Sequence, residues 1–336
     1  MTTTEKLLVS VNDLCVHFRG NPKNFKAQII KAVDGVSFEI SRGETLGIAG
    51  ESGSGKSTLA RTLIGINKPT SGSIKILGEE VSKYSNASLR PIRKKIQMVF
   101  QDPYDSLDPR FTVAQSIAEG LQIRNVPKSE ISSEVMKLLS VVKLSNSLAT
   151  RFPSQLSGGQ RQRVAIARSL ATKPDLIICD EAVAALDVSV RAQILNLLQD
   201  IQEQTGVSYL FISHDLSTLR YISKNVAIMY GGRIVEFGNS DAVLTNPQHP
   251  YTRALINSVP TLSGVREHRN RIIGEPPDPA NLPTGCSFSP RCNESISQCS
   301  VQTPKLLQIS PLCKVACHVR FPHAENEASE GGKNYV

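Results

Sequence analysis

The stretch Gly50-Glu-Ser-Gly-Ser-Gly-Lys56-Ser57-Thr58 constrains this chain more than any other. It fits the spacing G-x-x-x-x-G-K-[ST] and lies between a short apolar run, Thr45 to Ala49, and an apolar-faced helical run, Leu59 to Ile66. A strand, a glycine-rich loop and a helix in that order build a nest of backbone N–H groups at a helix N-terminus, where phosphate binds. Gly50, Ser52, Gly53, Ser54 and Gly55 are small enough for the backbone to wrap phosphates. Lys56 reaches the outer phosphates, the Ser57 hydroxyl can ligate Mg²⁺, and Thr58 leads into the helix. A chance glycine turn would need neither the full spacing nor the flanking elements.

The rest of the first 260 residues reads as α/β. Val33 to Ile40 has strand character and ends in the turn Ser41-Arg42-Gly43. Asp175 to Cys179 and Ser208 to Ser213 are short apolar runs separated by a helical pattern over Arg191 to Gln204, as in a parallel sheet with crossover helices. Gln101 to Ser157 is helical and amphipathic, with Met136, Leu138, Leu139, Val142 and Leu144 on one face between Ser129 and Leu144. The expected organisation is a nucleotide-binding domain over 1–260, its helical subdomain at about 101–170, a cysteine-bearing extension over 261–323 after a Pro-rich linker, and a polar, disordered tail over 324–336. No apolar run approaches the roughly eighteen residues of a spanning helix, and Met-Thr-Thr-Thr-Glu-Lys leads only to Leu7-Leu8-Val9, so the chain is expected to stay in the cytoplasm. The formal charge of +8 is spread without a dense Lys/Arg run or aromatic-interleaved stripe, and no nucleic-acid partner is expected.

Leu176-Ile-Ile-Cys-Asp180-Glu181 is an apolar strand ending in two carboxylates. Charge there is costly unless it faces a cation or a cleft. Beside a phosphate loop, Asp180 would hold Mg²⁺ through water and Glu181 would polarise the attacking water as general base. Leu156-Ser157-Gly158-Gly159-Gln160 precedes a helix carrying Val164 to Ala167, so Ser157, Gly158 and Gly159 form a second anion nest.

Leu-Ser-Gly-Gly-Gln together with a phosphate loop resembles the ABC ATPase family over roughly Leu7 to Pro260. The resemblance implies a P-loop NTPase core: a parallel sheet with an antiparallel β segment and a helical subdomain, binding ATP and Mg²⁺. By position, Gln101 matches the glutamine that joins Mg²⁺ and the attacking water to the membrane subunit, His214 the switch histidine at the γ-phosphate, and Asp187 the loop that crosses the dimer interface. The family closes each ATP site with the signature motif of an opposite subunit, so Ser157 to Gln160 would serve a partner's nucleotide. Two positions depart from the pattern: Ala182 stands where the family usually has Pro, and Ala184 where it usually has Ser. Neither removes a catalytic group. The adenine-stacking aromatic is ambiguous between Phe18 and Phe25, because Arg19 to Ile30 reads as an insertion.

The segment Asn246-Pro-Gln-His249-Pro-Tyr251, followed by Gly285-Cys286-Ser-Phe-Ser-Pro-Arg-Cys292, is similar to dipeptide and oligopeptide importer ATPases, whose relatives import nickel. Implied partners are two transmembrane permease subunits, a second ABC ATPase, identical or homologous, and an extracytoplasmic solute-binding protein, with this chain peripheral on the cytoplasmic face of the inner membrane. A nickel or other small-solute importer is the alternative, and a soluble ABC ATPase acting on nucleic acid a more distant one. His249 reads as the residue opening the terminal helix rather than a metal ligand. Five of seven cysteines crowd into the tail, which in a reducing compartment points to metal before disulfide. Cys286, Cys292, Cys299 and Cys317 could hold a [4Fe-4S] cluster or Zn²⁺, with Cys313 and His318 as rival ligands. The resemblance favours iron-sulfur. A set of free thiols is the plain alternative.

Overall fold

The computed structural model describes residues 7–20, 28–101, 107–258, 274–275 and 277–321. Two sheets organise it. The first is antiparallel, in the order β2-β1-β4-β5, from β1 (Leu7–Arg19), β2 (Ile29–Ser41), β4 (Ser71–Ile76) and β5 (Glu79–Glu80). The second has eight strands in the order β11-β12-β10-β9-β3-β8-β7-β6. They are β3 (Thr45–Ala49), β6 (Ile96–Val99), β7 (Leu176–Asp180), β8 (Ser208–Ile212), β9 (Asn225–Tyr230), β10 (Arg233–Asn239), β11 (Leu307–Ser310) and β12 (Cys313–Val315). From β9 to β6 neighbouring strands are parallel; from β9 to β11 they are antiparallel.

The parallel strands are buried on both faces, and side-chain alternation divides their residues between two cores. Leu46, Ile48, Leu176, Ile178, Leu210 and Ile212 face the antiparallel sheet and helix α1 (Lys56–Leu63). Ile177, Cys179, Tyr209 and Phe211 face the opposite side. There they meet helices on the far side, which after α2 (Arg90–Lys95) follow as α3 (Val113–Ile123), α4 (Lys128–Val141), α5 (Gly158–Leu170), α6 (Val188–Thr205) and α7 (Leu216–Ile222).

Helices α3 and α4 lie in the stretch read as helical and amphipathic, and α3 is opened by a capping box in which Thr112 and Gln115 exchange hydrogen bonds. On α4 the fully buried positions are Val135 and Leu139, with Met136 and Leu138 half-buried against the same core. Val135 therefore belongs to a face whose sequence reading centred one residue away.

Two boundaries differ from the sequence reading. Helix α1 starts at Lys56, not Leu59, because the loop feeds it without a spacer. Strand β2 starts at Ile29, not Val33, and Arg19 pairs with Ile29. Arg19, Ile29 and Ile30 of the apparent insertion thus belong to paired strands, and residues 21–27 lie outside the described part. The cysteine-bearing extension joins the main sheet: β12 pairs with β10 through Glu236 and Val315, Phe237 and Lys314, and Gly238 and Cys313. Between β10 and the tail come α8 (Ser240–Thr245) and α9 (Pro250–Asn257); α10 (Gln298–Val301) precedes β11. As expected, His249 opens α9: its Nδ1 accepts from Tyr251 N–H at 3.0 Å, and burial drives its pKa down to about 3, keeping the ring neutral. No helix among the described residues is long and apolar enough to cross a membrane.

Candidate functional site

Strand β3 delivers the glycine-rich loop to the carboxyl edge of the parallel strands, where α/β sheets place ligands. Gly55 caps α1 at φ 104°, and a Cβ there would lie 2.1 Å from the Ala32 carbonyl oxygen of β2. Only glycine fits. Lys56 is 5% exposed, and its Nζ donates to the carbonyls of Gly50 and Glu51, at 2.8 Å each, and to Ser54 Oγ at 3.3 Å. Burial pulls its pKa down, opposed by the charges of Glu181, Asp180 and Glu51. The loop's own carbonyls thus hold an ammonium in reserve for an anion.

Strand β7 brings the two carboxylates beside this lysine. Ser57 Oγ donates to Asp180 Oδ1 at 3.0 Å. Burial raises the Asp180 pKa, countered by the Ser57 hydrogen bond, and the adjacent Glu181 adds to the rise. A hydroxyl and a buried carboxylate in contact are oxygen donors suited to a hard cation such as Mg²⁺. Glu181 takes φ 50°, with its N–H donating to the Ile212 carbonyl at 3.0 Å. This backbone, uncommon for a non-glycine residue, turns its carboxylate out of the sheet. His214 Nδ1 lies 3.5 Å from Glu181 Oε2. Gln101, Glu181, His214, Lys56 and Ser57 line one cleft of about 470 Å³ with Ser52, Gly53 and Thr58.

The structure does not bring the remaining motif residues into this cleft. Ser157 caps α5, with its Oγ accepting from Gln160 N–H at 3.3 Å and Gln160 Oε1 accepting from Ser157 N–H at 3.0 Å. Asp187 caps α6, accepting from Val190 N–H at 2.9 Å and Ser189 Oγ at 2.8 Å, and those bonds lower its pKa. The two turns adjoin: a Cβ on Gly159 would lie 2.6 Å from Val190 Cγ1. Ser157, Gly158 and Asp187 are exposed, so one molecule carries a phosphate cleft and, separately, an open helix-leading nest. Of the aromatic candidates, Phe18 is exposed on β1 opposite Ile30, which lines the cleft with Ala32. Phe25 lies outside the described residues.

Sequence reasoning missed Glu51 and its partners. Its carboxylate receives both terminal nitrogens of Arg291, at 2.8 and 3.2 Å, and its N–H donates to Tyr251 Oη at 2.8 Å. The only signal was a charged residue at a free position of the glycine loop.

In the tail, burial is the main cause that raises the pKa of Cys286, Cys292 and Cys317, in the case of Cys286 to about 11, and neighbouring tail cysteines add to the rise. The Cys286 N–H donates to the Cys299 carbonyl at 2.8 Å. The rivals point elsewhere. Cys313 Sγ faces Glu236 Oε1 at 3.7 Å, and His318 Nε2 is 2.9 Å from the Gln302 carbonyl.

Two family descriptions match: "ABC transporter" over residues 33–184 and "Oligopeptide/dipeptide transporter, C-terminal region" over residues 235–299. A Sinorhizobium fredii protein described as a probable peptide ABC transporter ATP-binding protein is 46% identical over 324 residues, covering 94% of this chain and 91% of its own. The oligopeptide transport ATP-binding protein AppF of Bacillus subtilis is 45% identical, covering 94% and 98%. Among solved structures, cbiO1 from Clostridium perfringens, part of an ABC transporter complex, superposes with a TM-score of 0.63 at 31% identity, covering 72% of this chain and 92% of that one. A dimeric ATP-binding cassette in a post-hydrolysis state with ADP and Pi gives 0.63 at 29% identity, covering 69% and 99%.

Proposed function

This chain belongs to the ATP-binding proteins of ABC transporters, and from that membership we propose that it hydrolyses ATP to drive import of di- or oligopeptides through membrane permease subunits. The observation that carries the reading is the meeting of Lys56, Ser57, Glu181, His214 and Gln101 in one cleft on a chain whose tail matches the oligopeptide transporter C-terminal region. The named relatives supply the substrate class; no residue of the cleft would touch a peptide.

In the proposed cycle the triphosphate takes Lys56 from the carbonyls of Gly50 and Glu51, and the loop amides of Ser52 to Thr58 surround it. Ser57 and Asp180, already in contact, would hold Mg²⁺, which neutralises phosphate charge; Gln101 would join them. Glu181 accepts the proton of the attacking water, and His214, beside it, donates to the γ-phosphate. This cleft alone leaves the outer phosphate open. The exposed nest at Ser157 to Gln160, with Asp187 beside it, lies elsewhere on the molecule, which supports closure by a second ATPase subunit, each supplying the other's missing donors. Such a chain works at the cytoplasmic face of the membrane with two permeases and receives solute from an extracytoplasmic binding protein.

The test is reconstitution of the chain with its permeases and binding protein in vesicles. Peptide should stimulate ATP hydrolysis and accumulate inside. Stimulation by nickel alone would reassign the solute, and stimulation by DNA or RNA without the permeases would overturn the transport reading.

We also propose a [4Fe-4S] cluster on Cys286, Cys292, Cys299 and Cys317. Four thiols supply the ligand count such a cluster takes, and Cys313 and His318 are engaged elsewhere. Ligands of a single tetrahedral zinc at Zn–S of about 2.3 Å would sit about 3.8 Å apart. Among the described residues no three of these sulfurs lie within 4.8 Å of one another, wider than that spacing. Anaerobically purified protein should contain iron and acid-labile sulfide, both lost in Cys299→Ser and retained in Cys313→Ser. Zinc without sulfide would overturn the assignment.

A further inference from the structure

The tail reaches the phosphate loop through one side chain. The Arg291 side chain, only 8% exposed, grips the Glu51 carboxylate with both terminal nitrogens, at 2.8 and 3.2 Å, and donates to Tyr230 Oη at 3.2 Å. On the other side, the Glu51 N–H is tied to Tyr251 Oη, and the Glu51 carbonyl holds Lys56 Nζ at 2.8 Å. Tyr230, Tyr251 and Phe288 are buried and packed ring on ring, with centroids 4.5 to 5.4 Å apart. The platform under the clamp is therefore rigid. Arg291 ends a short 3₁₀ turn, Ser289–Arg291, locked by hydrogen bonds from Ser289 N–H to the Cys286 carbonyl and from Arg291 N–H to the Phe288 carbonyl, and followed directly by Cys292.

We propose that Arg291 is a positioning residue of the ATP site, holding the phosphate loop through Glu51 so that the cysteine-bearing tail sets the loop's affinity for nucleotide. A fork-to-carboxylate pair fixes orientation as well as distance, which a point charge does not. With the pair intact, the Glu51 carbonyl stays where Lys56 is held and the loop keeps the curvature that aims its amides inward. Without it, a carboxylate is left half-buried and the loop must relax to solvate it. Because Cys286 and Cys292 bracket the turn that carries Arg291, displacement at those thiols reaches the ATP site by this route. The inference rests on ATP being the ligand of the loop.

The experiment measures ATP dissociation constants, KM and kcat for the full-length wild type, Arg291→Ala, Arg291→Lys, Glu51→Ala and the double alanine variant. Arg291→Ala should weaken ATP binding and raise KM about five- to tenfold, with kcat changed less than KM, a coupling of ordinary size between linked sites. Arg291→Lys should recover part of the loss. The double variant should bind no more weakly than the weaker single variant, since each removes the same contact. If Arg291→Ala lowers the melting temperature, Arg291→Lys and Glu51→Ala, which leave the tail's packing intact, carry the comparison. Additive losses, or unchanged ATP affinity in all variants of a wild type that binds ATP, would overturn the inference. A wild type that binds no ATP would instead overturn the nucleotide reading.

Discussion

Glu181→Gln should lower the ATP turnover number about 10²- to 10³-fold, the range expected for loss of a general base, while ATP still binds. The substitution is nearly isosteric. It keeps the backbone bond from residue 181 to the Ile212 carbonyl and the turn at φ 50° that aims the side chain into the cleft. It removes the proton acceptor and the negative charge beside Lys56 and His214. Losing that charge relieves repulsion against the γ-phosphate, so ATP should dwell longer. If the nest at Ser157 closes over a partner's nucleotide, the variant should run as a dimer in ATP on a sizing column where the wild type in MgATP does not. Turnover near that of the wild type would remove Glu181 from the role of base and leave Gln101 or His214 to orient the water.

Such a prediction depends on local sequence, and local sequence is where the chain was readable. Strands β3, β7 and β8 stood out because strands buried on both faces read as unbroken apolar runs. The residues at and beside the cleft lie at the ends of those runs, so Lys56, Ser57, Asp180 and Glu181 could be read from local sequence, while His214 came from the family resemblance. The start of strand β2 is hard to read because its first residues, Ile29 to Ala32, are mostly apolar yet alternate exposed and half-buried positions at a hairpin edge, so side-chain type does not follow burial. Strands β11 and β12 were missed for a related reason: they are four and three residues long, and three of the four residues in β11 are exposed. What fixes them is the pairing of β12 with β10, a long-range contact with no local imprint, and of β11 with β12. The Arg291 clamp is the extreme case, since its partners are 240 positions apart and neither belongs to a periodic pattern. The nest at Ser157 was legible as a nest, but its distance from the phosphate cleft is a property of the folded chain.

Two glycines of the same loop should respond very unequally to the same substitution. Gly55→Ala should weaken ATP binding by more than about 100-fold, because strain and collision both fall on the anion nest. Its φ of 104° lies outside the region an alanine adopts, and the new Cβ would stand 2.1 Å from the Ala32 carbonyl oxygen. That oxygen belongs to the main chain of β2, paired on its far side with β1, so the sheet cannot yield without disturbing Ile30 and Ala32 at the cleft wall. The loop must move instead, which carries Lys56 and Ser57 away from the phosphate position at the first turn of α1. At Gly53 the φ of 78° is within left-handed reach, and a Cβ would meet nothing within 4 Å. Gly53→Ala should therefore cost about 1 kcal/mol of backbone strain and leave ATP affinity within a few-fold of the wild type. Titration of both variants with a fluorescent ATP analogue, alongside thermal melts, checks the contrast. Equal losses at the two positions would mean that the loop reshapes on binding nucleotide and that its conformation here is not the one that receives phosphate.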